Sequence, residues 1–500
     1  MRFVILDLDT LRPDHLGCYG YHRDTSPVID SIAADGVRFD NYHCPDAPCL
    51  PSRAALITGR FGIHNGAVGH GDTTADVRLY GEGRGMQDNG LAHSLFMVFR
   101  HAGYYTASIS PFPERHSSYW FTAGLNEQVN TGRMGFESAE EIMPSVMDWL
   151  DRRGTGDNWC LHINMWDPHT PYRAPAEFGN PFENEPIPAW LTKEVFQEHL
   201  KHVGPHSVNE ISMYSDQSNP NLPRQLGKAT NMDELRQVMD GYDCGIRYMD
   251  GKIGEIINLL KEKGIYEDTA ILVTADHGEN MGELGIYAEH ATADEITTRI
   301  PMIIKMPGMR QGAVDTGLHY NLDLSPTLAE YFGVPAYEKW DGKSYLPALK
   351  DGGDCGWPYL VVSQNAHVCQ RSVRFDDYIY IRTYHCGYHL FDKEMLFNVK
   401  EDFYEQHNLA EERPDLCDRA CRLLTDWTQD QILSADVPVD PMWTTLHEGG
   451  PFHAKGYLKL YCERLEATGR AEGAAKLREK YPDEFKPGVA KTQLFGAPRR

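Results

Sequence analysis

The chain has 500 residues, 41% of them hydrophobic, with 11 cysteines and a formal net charge of -24. That length supports a large core and suggests two to four domains, often one big α/β domain with a smaller companion. The acidic balance without basic stripes excludes nucleic acid as a partner, and no apolar run is long enough to span a bilayer.

Met1-Arg2 leads straight into Phe3-Val4-Ile5-Leu6, which reads as a first strand and not as the apolar part of a signal peptide. The expected location is cytoplasmic, unless a signal peptide has been removed. The odd, scattered cysteines suggest no disulfide framework and fit small buried residues in a reducing compartment. The charge sets one constraint: an anionic substrate is repelled by the chain as a whole, so its site needs a local positive field. A bound divalent cation would supply one.

Taken in chain order, short apolar runs predict strands at residues 3–8, 105–109, 160–165, 270–274 and 302–305. A helix is expected over 51–58, with Pro51 near its first position and Gly59 just past its end. Another is expected over 249–263, where Ile253, Ile256, Ile257 and Leu260 share one face and Gly264 stops it. The alternation implies an α/β fold over residues 1–360, a large mixed, mostly parallel sheet flanked by helices. Residues 175–231, rich in Pro, Asn, Ser and His, read as an insertion over the sheet edge that shapes a substrate pocket. From 361 to 500 the texture becomes that of a smaller α+β subdomain. Tyr378-Ile379-Tyr380-Ile381 and Tyr388-His389-Leu390-Phe391 alternate like antiparallel strands. A helix over about 415–432, a charged helical segment at about 456–480 and a polar tail complete it.

Ligands of open α/β sheets bind beyond the carboxyl ends of the strands. Four of the expected strands end in capable residues: Asp7-Leu8-Asp9-Thr10, Arg115-His116, Asp167-Pro168-His169 and Asp276-His277-Gly278-Glu279. Carboxylates with one imidazole suit a hard or borderline divalent cation, Ca²⁺ first and Mn²⁺ or Mg²⁺ next. Asp9, Asp276 and His277 are the expected ligands. Asp7 shares a strand face with Asp9 and reads as a buried acid paired with a neighbour, behind the metal with Thr10. Cys49 stands at a helix start, where the dipole favours an anion and a bare thiol would be acidified.

The string Cys49-Leu50-Pro51-Ser52-Arg53 with Thr58-Gly59-Arg60 resembles the signature of the type I sulfatases of the alkaline-phosphatase-like superfamily. Asp9-Thr10-Leu11-Arg12-Pro13-Asp14, Gly17-Cys18-Tyr19-Gly20 and Asp276-His277-Gly278-Glu279 resemble its metal strands. Phe397-Asn398-Val399, Glu405 and Asn408-Leu409 resemble its C-terminal hairpin. The resemblance implies that a maturation enzyme converts Cys49 to formylglycine, and that residue 49 joins the metal ligands. The hydrated aldehyde would attack sulfur with one hydroxyl and release sulfate through the other. It further implies Arg53 as charge stabiliser or holder of the nucleophile loop, and His169 as general acid. His290 would lie on the substrate side, with Arg115, His116 and His70 as further candidates there.

Departures are specific. Glu289 stands beside His290 where the family carries a lysine, and a G-K-x-H string is replaced by the longer Ser108-Ile109-Ser110-Pro111-Phe112-Pro113-Glu114-Arg115-His116. Thr10 and His277 stand where many sulfatases have aspartate and asparagine. The expected substrate is a small sulfated saccharide. A phosphonate monoester or phosphodiester hydrolase with the same nucleophile is the alternative, and an inactive metal- or glycan-binding homologue the third reading. Trp120, Phe121, Trp166, Tyr172 and Tyr287 suit ring stacking but are equally ordinary core residues, and His64 and Asn65 are possible pocket residues. Oligomeric state is not legible.

Overall fold

The computed structural model describes residues 1–78 and 91–485; the tail expected beyond 485 lies outside them. The strands, in chain order, are β1 (Arg2–Leu8), β2 (Val37–His43), β3 (Asp46–Ala47), β4 (Tyr105–Ile109), β5 (Glu127–Val129), β6 (Trp159–Met165) and β7 (Thr269–Thr274). They continue as β8 (Asn280–Met281), β9 (Tyr287–Glu289), β10 (Met302–Lys305), β11 (Ala313–Tyr320), β12 (Leu360–Gln364), β13 (Cys369–Phe375), β14 (Tyr378–His385) and β15 (Glu394–Asn398).

Among the described residues, eight strands form the main sheet in the order β11-β2-β10-β7-β1-β6-β4-β5. Only β10 runs antiparallel to its neighbours, and β1 lies parallel between β6 and β7. The centre is buried on both faces, which explains the unbroken Phe3-Val4-Ile5-Leu6 run, each residue at most 1% exposed. Because β1, β4, β6 and β7 point the same way, their carboxyl ends open onto one edge.

The helix predicted at 51–58 runs Cys49–Thr58, so Pro51 sits in its first turn but not at its first position. Every one of its residues is buried. Gly59 ends it at φ 67, and a Cβ there would lie 2.5 Å from the Trp340 ring, so both conformation and space demand glycine.

The helix expected at 249–263 is the second half of a helix spanning Met232–Glu262. Its first half hides from a hydrophobic pattern because it buries Asp240 and Asp243 and carries Gly241 and Gly245. Asp243 accepts from Arg23, Tyr21 and His15 at 2.7–2.8 Å, and a Cβ on Gly245 would meet the Asp167 carbonyl at 2.7 Å.

A five-stranded sheet, β15-β14-β13-β12-β3, follows in space, with β3 from the N-terminal part adding to β12. The strand expected at Tyr388–Phe391 is absent. Gly387 and Tyr388 adopt φ 58 and 70, turning the chain, and Tyr388 is buried beside Tyr214 and Tyr457. The helix at 415–432 is present as Pro414–Ser434, and the charged segment is two helices, Leu458–Ala467 and Ala471–Lys480. In the 175–231 segment the His206 carbonyl accepts from the Tyr287 amide of β9, and Glu210 ties the segment to the C-terminal helices through Arg464 and Arg470. Its His206 end thus lies against the hairpin that follows β7.

Candidate active site

β1 delivers Asp7 and, just past its end, Asp9; β7 leads into Asp276 and His277; and the helix start delivers Cys49, with Arg53 one turn further along the same helix. Ligand atoms of Asp9, Cys49, Asp276 and His277 all lie within 4.8 Å of one another, in fully buried positions. Arg53 binds them from below. Its Nε and Nη2 donate to the two Asp7 oxygens at 2.8 Å each, while Nη1 donates to Asp9 at 3.0 Å and to Asp276 at 2.6 Å. Such a fork holds a planar guanidinium in one orientation. Asp7 is thus a buried acid whose partner is Arg53, with His162 adding a contact at 3.2 Å. Thr10 contributes through its backbone: φ is 58, its amide donates to Asp276 at 3.2 Å, and its carbonyl accepts from the Tyr242 hydroxyl at 2.7 Å.

The residues fit a divalent cation. Asp9 Oδ1 is buried with no hydrogen-bond partner. Burial and the nearby Asp276 push the Asp9 carboxyl well above its usual range, the signature of clustered carboxylates that need a positive charge. His277 shows its lone pair to the same point: Nδ1 lies 2.8 Å from the Gly278 carbonyl and so carries the proton, leaving Nε2 facing Cys49 Sγ at 3.2 Å. Burial lowers the His277 imidazole to about 4, so it is neutral and free to ligate at neutral pH.

The expectation of an acidified thiol is overturned. Burial, with Asp9 and Asp276 beside it, pushes the Cys49 thiol well up, outweighing Arg53. Without a metal ion beside it, an unmodified Cys49 is therefore not acidified: burial first, and then the two carboxylates, outweigh what the helix start offers.

On the substrate side, His169 Nε2 stands 3.9 Å from Asp9 Oδ1, and its ring centroid is 5.5 Å from that of His290. Its Nδ1 faces the carbonyl of Thr170. Burial, with Arg173 and Arg115 nearby, holds it neutral. The His290 ring lies tilted against that of His277, centroids 4.1 Å apart, and bonds Glu289 at 2.9 Å. Burial would lower it, but Glu289 and Glu279 raise it to about 10, so it carries a positive charge. Arg115 lies 4.9 Å over the Trp166 ring, next to His116, whose ring is 5.2 Å from that of His70. His70 also meets His453 at 3.1 Å. Those four sequence candidates therefore do gather at the strand ends.

Others do not. His64 binds Asp341 at 2.8 Å and the Gln431 carbonyl at 2.8 Å, and Asn65 bonds the backbone of its own loop, so both are structural. Trp120, Phe121, Tyr172 and Tyr287 are core side chains, the last two bonded to Met281 and His199. Trp166 alone among the five flanks the site, under Arg53 and Arg115.

The residue reading missed Arg173. It is 4% exposed, and its guanidinium donates to the carbonyls of Gly135, Trp166, His169 and Pro171. Neither Arg115 nor Arg173 has a carboxylate within 4.0 Å among the described residues, so both are cations unspent on ion pairs. Burial and the neighbouring Arg115 lower Arg173 to about 10, still charged at neutral pH. Its signal was its place in the Trp166–Pro171 loop, two residues past Pro171. His206, His367 and His453 were missed for want of any local signal.

The sulfatase family model matches residues 2–334. The choline-sulfatase of Rhizobium meliloti (strain 1021) is 26% identical over 434 residues, 77% of this chain and 78% of that protein. The structure of BT4656 in complex with its substrate D-glucosamine-2-N,6-O-disulfate superposes with a TM-score of 0.68 at 19% identity, covering 87% of this chain and 99% of that one. The phosphonate monoester hydrolase of Silicibacter pomeroyi gives 0.65 at 19% identity, over 87% and 96%. With its fold and family match in agreement, the chain belongs to the sulfatase family of the alkaline-phosphatase-like superfamily, whose activity is the hydrolysis of sulfate esters.

Proposed function

We propose that the protein removes sulfate from a small sulfated saccharide, with residue 49 in its formylglycine form as nucleophile. The observation that carries this reading is the buried set Asp9, Cys49, Asp276 and His277, clamped by Arg53 at the start of the helix bearing the C-x-P-S-R string. A divalent ion held there, Ca²⁺ in the first instance, supplies the charge that acidifies a neighbouring hydroxyl. Arg53 fixes the carboxylates and faces the developing negative charge. His169, neutral and near Asp9, is placed to handle the proton of the departing alcohol through Nε2. Charged His290, Arg115 and Arg173 hold the sulfate oxygens in place of the lysines the family carries.

The proposal includes maturation by a formylglycine-generating enzyme and a cytoplasmic location. A saccharide is favoured by the sulfated glucosamine bound in the related BT4656 structure. The second reading, a phosphonate or diester hydrolase, is favoured by His277 and by the Silicibacter neighbour. Comparing kcat/KM on matched aryl sulfate, aryl phosphonate and diester substrates separates the two. A large preference for phosphorus would replace the first reading with the second. Mass spectrometry of the Cys49 peptide from active enzyme is the companion test; a fully retained thiol rules out the formylglycine route.

A further inference from the structure

A row of imidazoles runs outward from the metal ligands. His277 lies tilted against His290 at 4.1 Å, His290 meets His367 at 5.7 Å, His367 stacks on His453 at 4.3 Å, and His453 meets His70 at 5.3 Å. Its inner end, His277 and His290, and its outer end, His70, belong to the site described above; His367 does not. In the middle of the row is Glu289, at the end of β9, with three histidines around it.

We propose that His206, Glu289 and His367 form a second divalent-cation site, of the His₂Glu type that takes Zn²⁺. The three come from separate parts of the chain: the 175–231 segment, the β8–β9 hairpin and the turn between β12 and β13. Glu289 Oε2 is 3.2 Å from His206 Nε2 and Oε1 is 3.7 Å from His367 Nε2, with all three ligand atoms within 4.8 Å of one another. Tetrahedral zinc with ligands at 2.0–2.1 Å separates its donors by roughly 3.3 Å. The observed spacings need only small side-chain shifts to reach it.

Orientation points the same way. His206 Nδ1 lies 3.1 Å from the Ile211 carbonyl, which assigns the proton there and aims the Nε2 lone pair at Glu289. That Nε2 is buried and makes no hydrogen bond, in a residue 4% exposed. An ion-pair cluster would instead need protonated histidines. Burial lowers His206 and His367, the latter also beside His453, so both stay neutral. Glu289 is held below its usual range, because the charged His290 beside it outweighs the burial that would raise it. Two neutral imidazoles and a carboxylate are the protonation states a metal requires.

The position has a use. Glu289 replaces a lysine of the family, and a cation bound to it restores positive charge one imidazole away from the catalytic metal. That use rests on the sulfatase reading, whereas the site itself does not. Its chemistry is that of a borderline ion on nitrogen and oxygen, in contrast to the oxygen-richer first site.

The test counts metal. Full-length protein is stripped with chelator, incubated with Zn²⁺ alone, desalted and measured by elemental mass spectrometry. Wild type is expected to retain two equivalents, and Glu289→Gln and His367→Gln one each. Cobalt loading gives a second readout: the visible absorption of four-coordinate Co²⁺ falls in both variants. Two variants guard against one that folds poorly, and far-ultraviolet circular dichroism checks each. Wild type retaining a single equivalent, or folded variants retaining two, would overturn the proposal. A chain that binds two equivalents yet cleaves no sulfate ester would refute the function proposed above and leave this site standing.

Discussion

Asp7→Asn isolates what the Arg53 clamp contributes, because residue 7 lies outside the string that directs maturation and the substitution keeps shape. Asp7 Oδ1 accepts from Arg53 Nη2 at 2.8 Å, and Oδ2 accepts from Arg53 Nε at 2.8 Å and faces His162 at 3.2 Å. An amide keeps one accepting oxygen and turns an NH₂ towards either Arg53 or His162. At least one hydrogen bond to a charged group is lost, about 1.5–3 kcal/mol. If that loss falls on the orientation of Arg53 in the transition state, kcat/KM drops by roughly 10- to 150-fold, since 1.36 kcal/mol is a factor of ten. The drop should sit mainly in kcat, because Asp7 touches no substrate.

Stability supplies an independent check. Burial would raise the Asp7 carboxyl, but Arg53 and His162 hold it far below the usual range. A depressed carboxyl contributes stability that is present above the unfolded pKa, about 3.9, and is lost as pH falls through the folded value. The gap in Tm between wild type and Asp7→Asn should therefore be full at pH 7 and shrink below about pH 4. The assay pairs steady-state kinetics on an aryl sulfate with melts from pH 3 to 8 and a mass check of the Cys49 peptide. A variant with unchanged formylglycine content whose kcat/KM stays within threefold of wild type would refute the positioning role.

Further outcomes are expected elsewhere. Asp276→Ala removes a carboxylate from the first metal set and leaves Arg53 Nη1 without one partner, so metal retention and turnover should fall together in dialysed protein. His290→Gln removes a charge held between Glu289 and Glu279. Breaking a buried pair costs about 3–5 kcal/mol. With its folded pKa raised to about 10, His290 contributes stability that is full below the unfolded value near 6.5 and is lost as pH rises through about 10. The difference in melting temperature should thus fade between neutral and pH 10, and a constant difference would contradict it. Gly59→Ala forces a side chain into φ 67 and against Trp340, which should destabilise by at least about 1–2 kcal/mol, measured by thermal melts.

The metal-side residues were legible because their positions follow from strand direction. Parallel strands put Asp9 and Asp276 at one edge, and a signature string put Cys49 and Arg53 on one helix. The long helix was half hidden, since Asp243 and Gly245 serve partners from other segments and so break its apolar stripe. Tyr388–Phe391 alternated like a strand, but two residues in the left-handed region turn it into a bend.

Local pattern, then, determined five strands of the main sheet, the helix that carries Cys49 and Arg53, and the placing of Asp9 and Asp276 at strand ends, because hydrophobic period and short motifs are properties of neighbouring residues. Tertiary structure alone decided that burial among Asp9 and Asp276 raises the Cys49 thiol, against the helix start that the sequence displays. It alone also brought His206, Glu289 and His367 together, and placed His70 against His453 across 383 positions of chain. Contacts of that range depend on how layers pack, and no local pattern carries them.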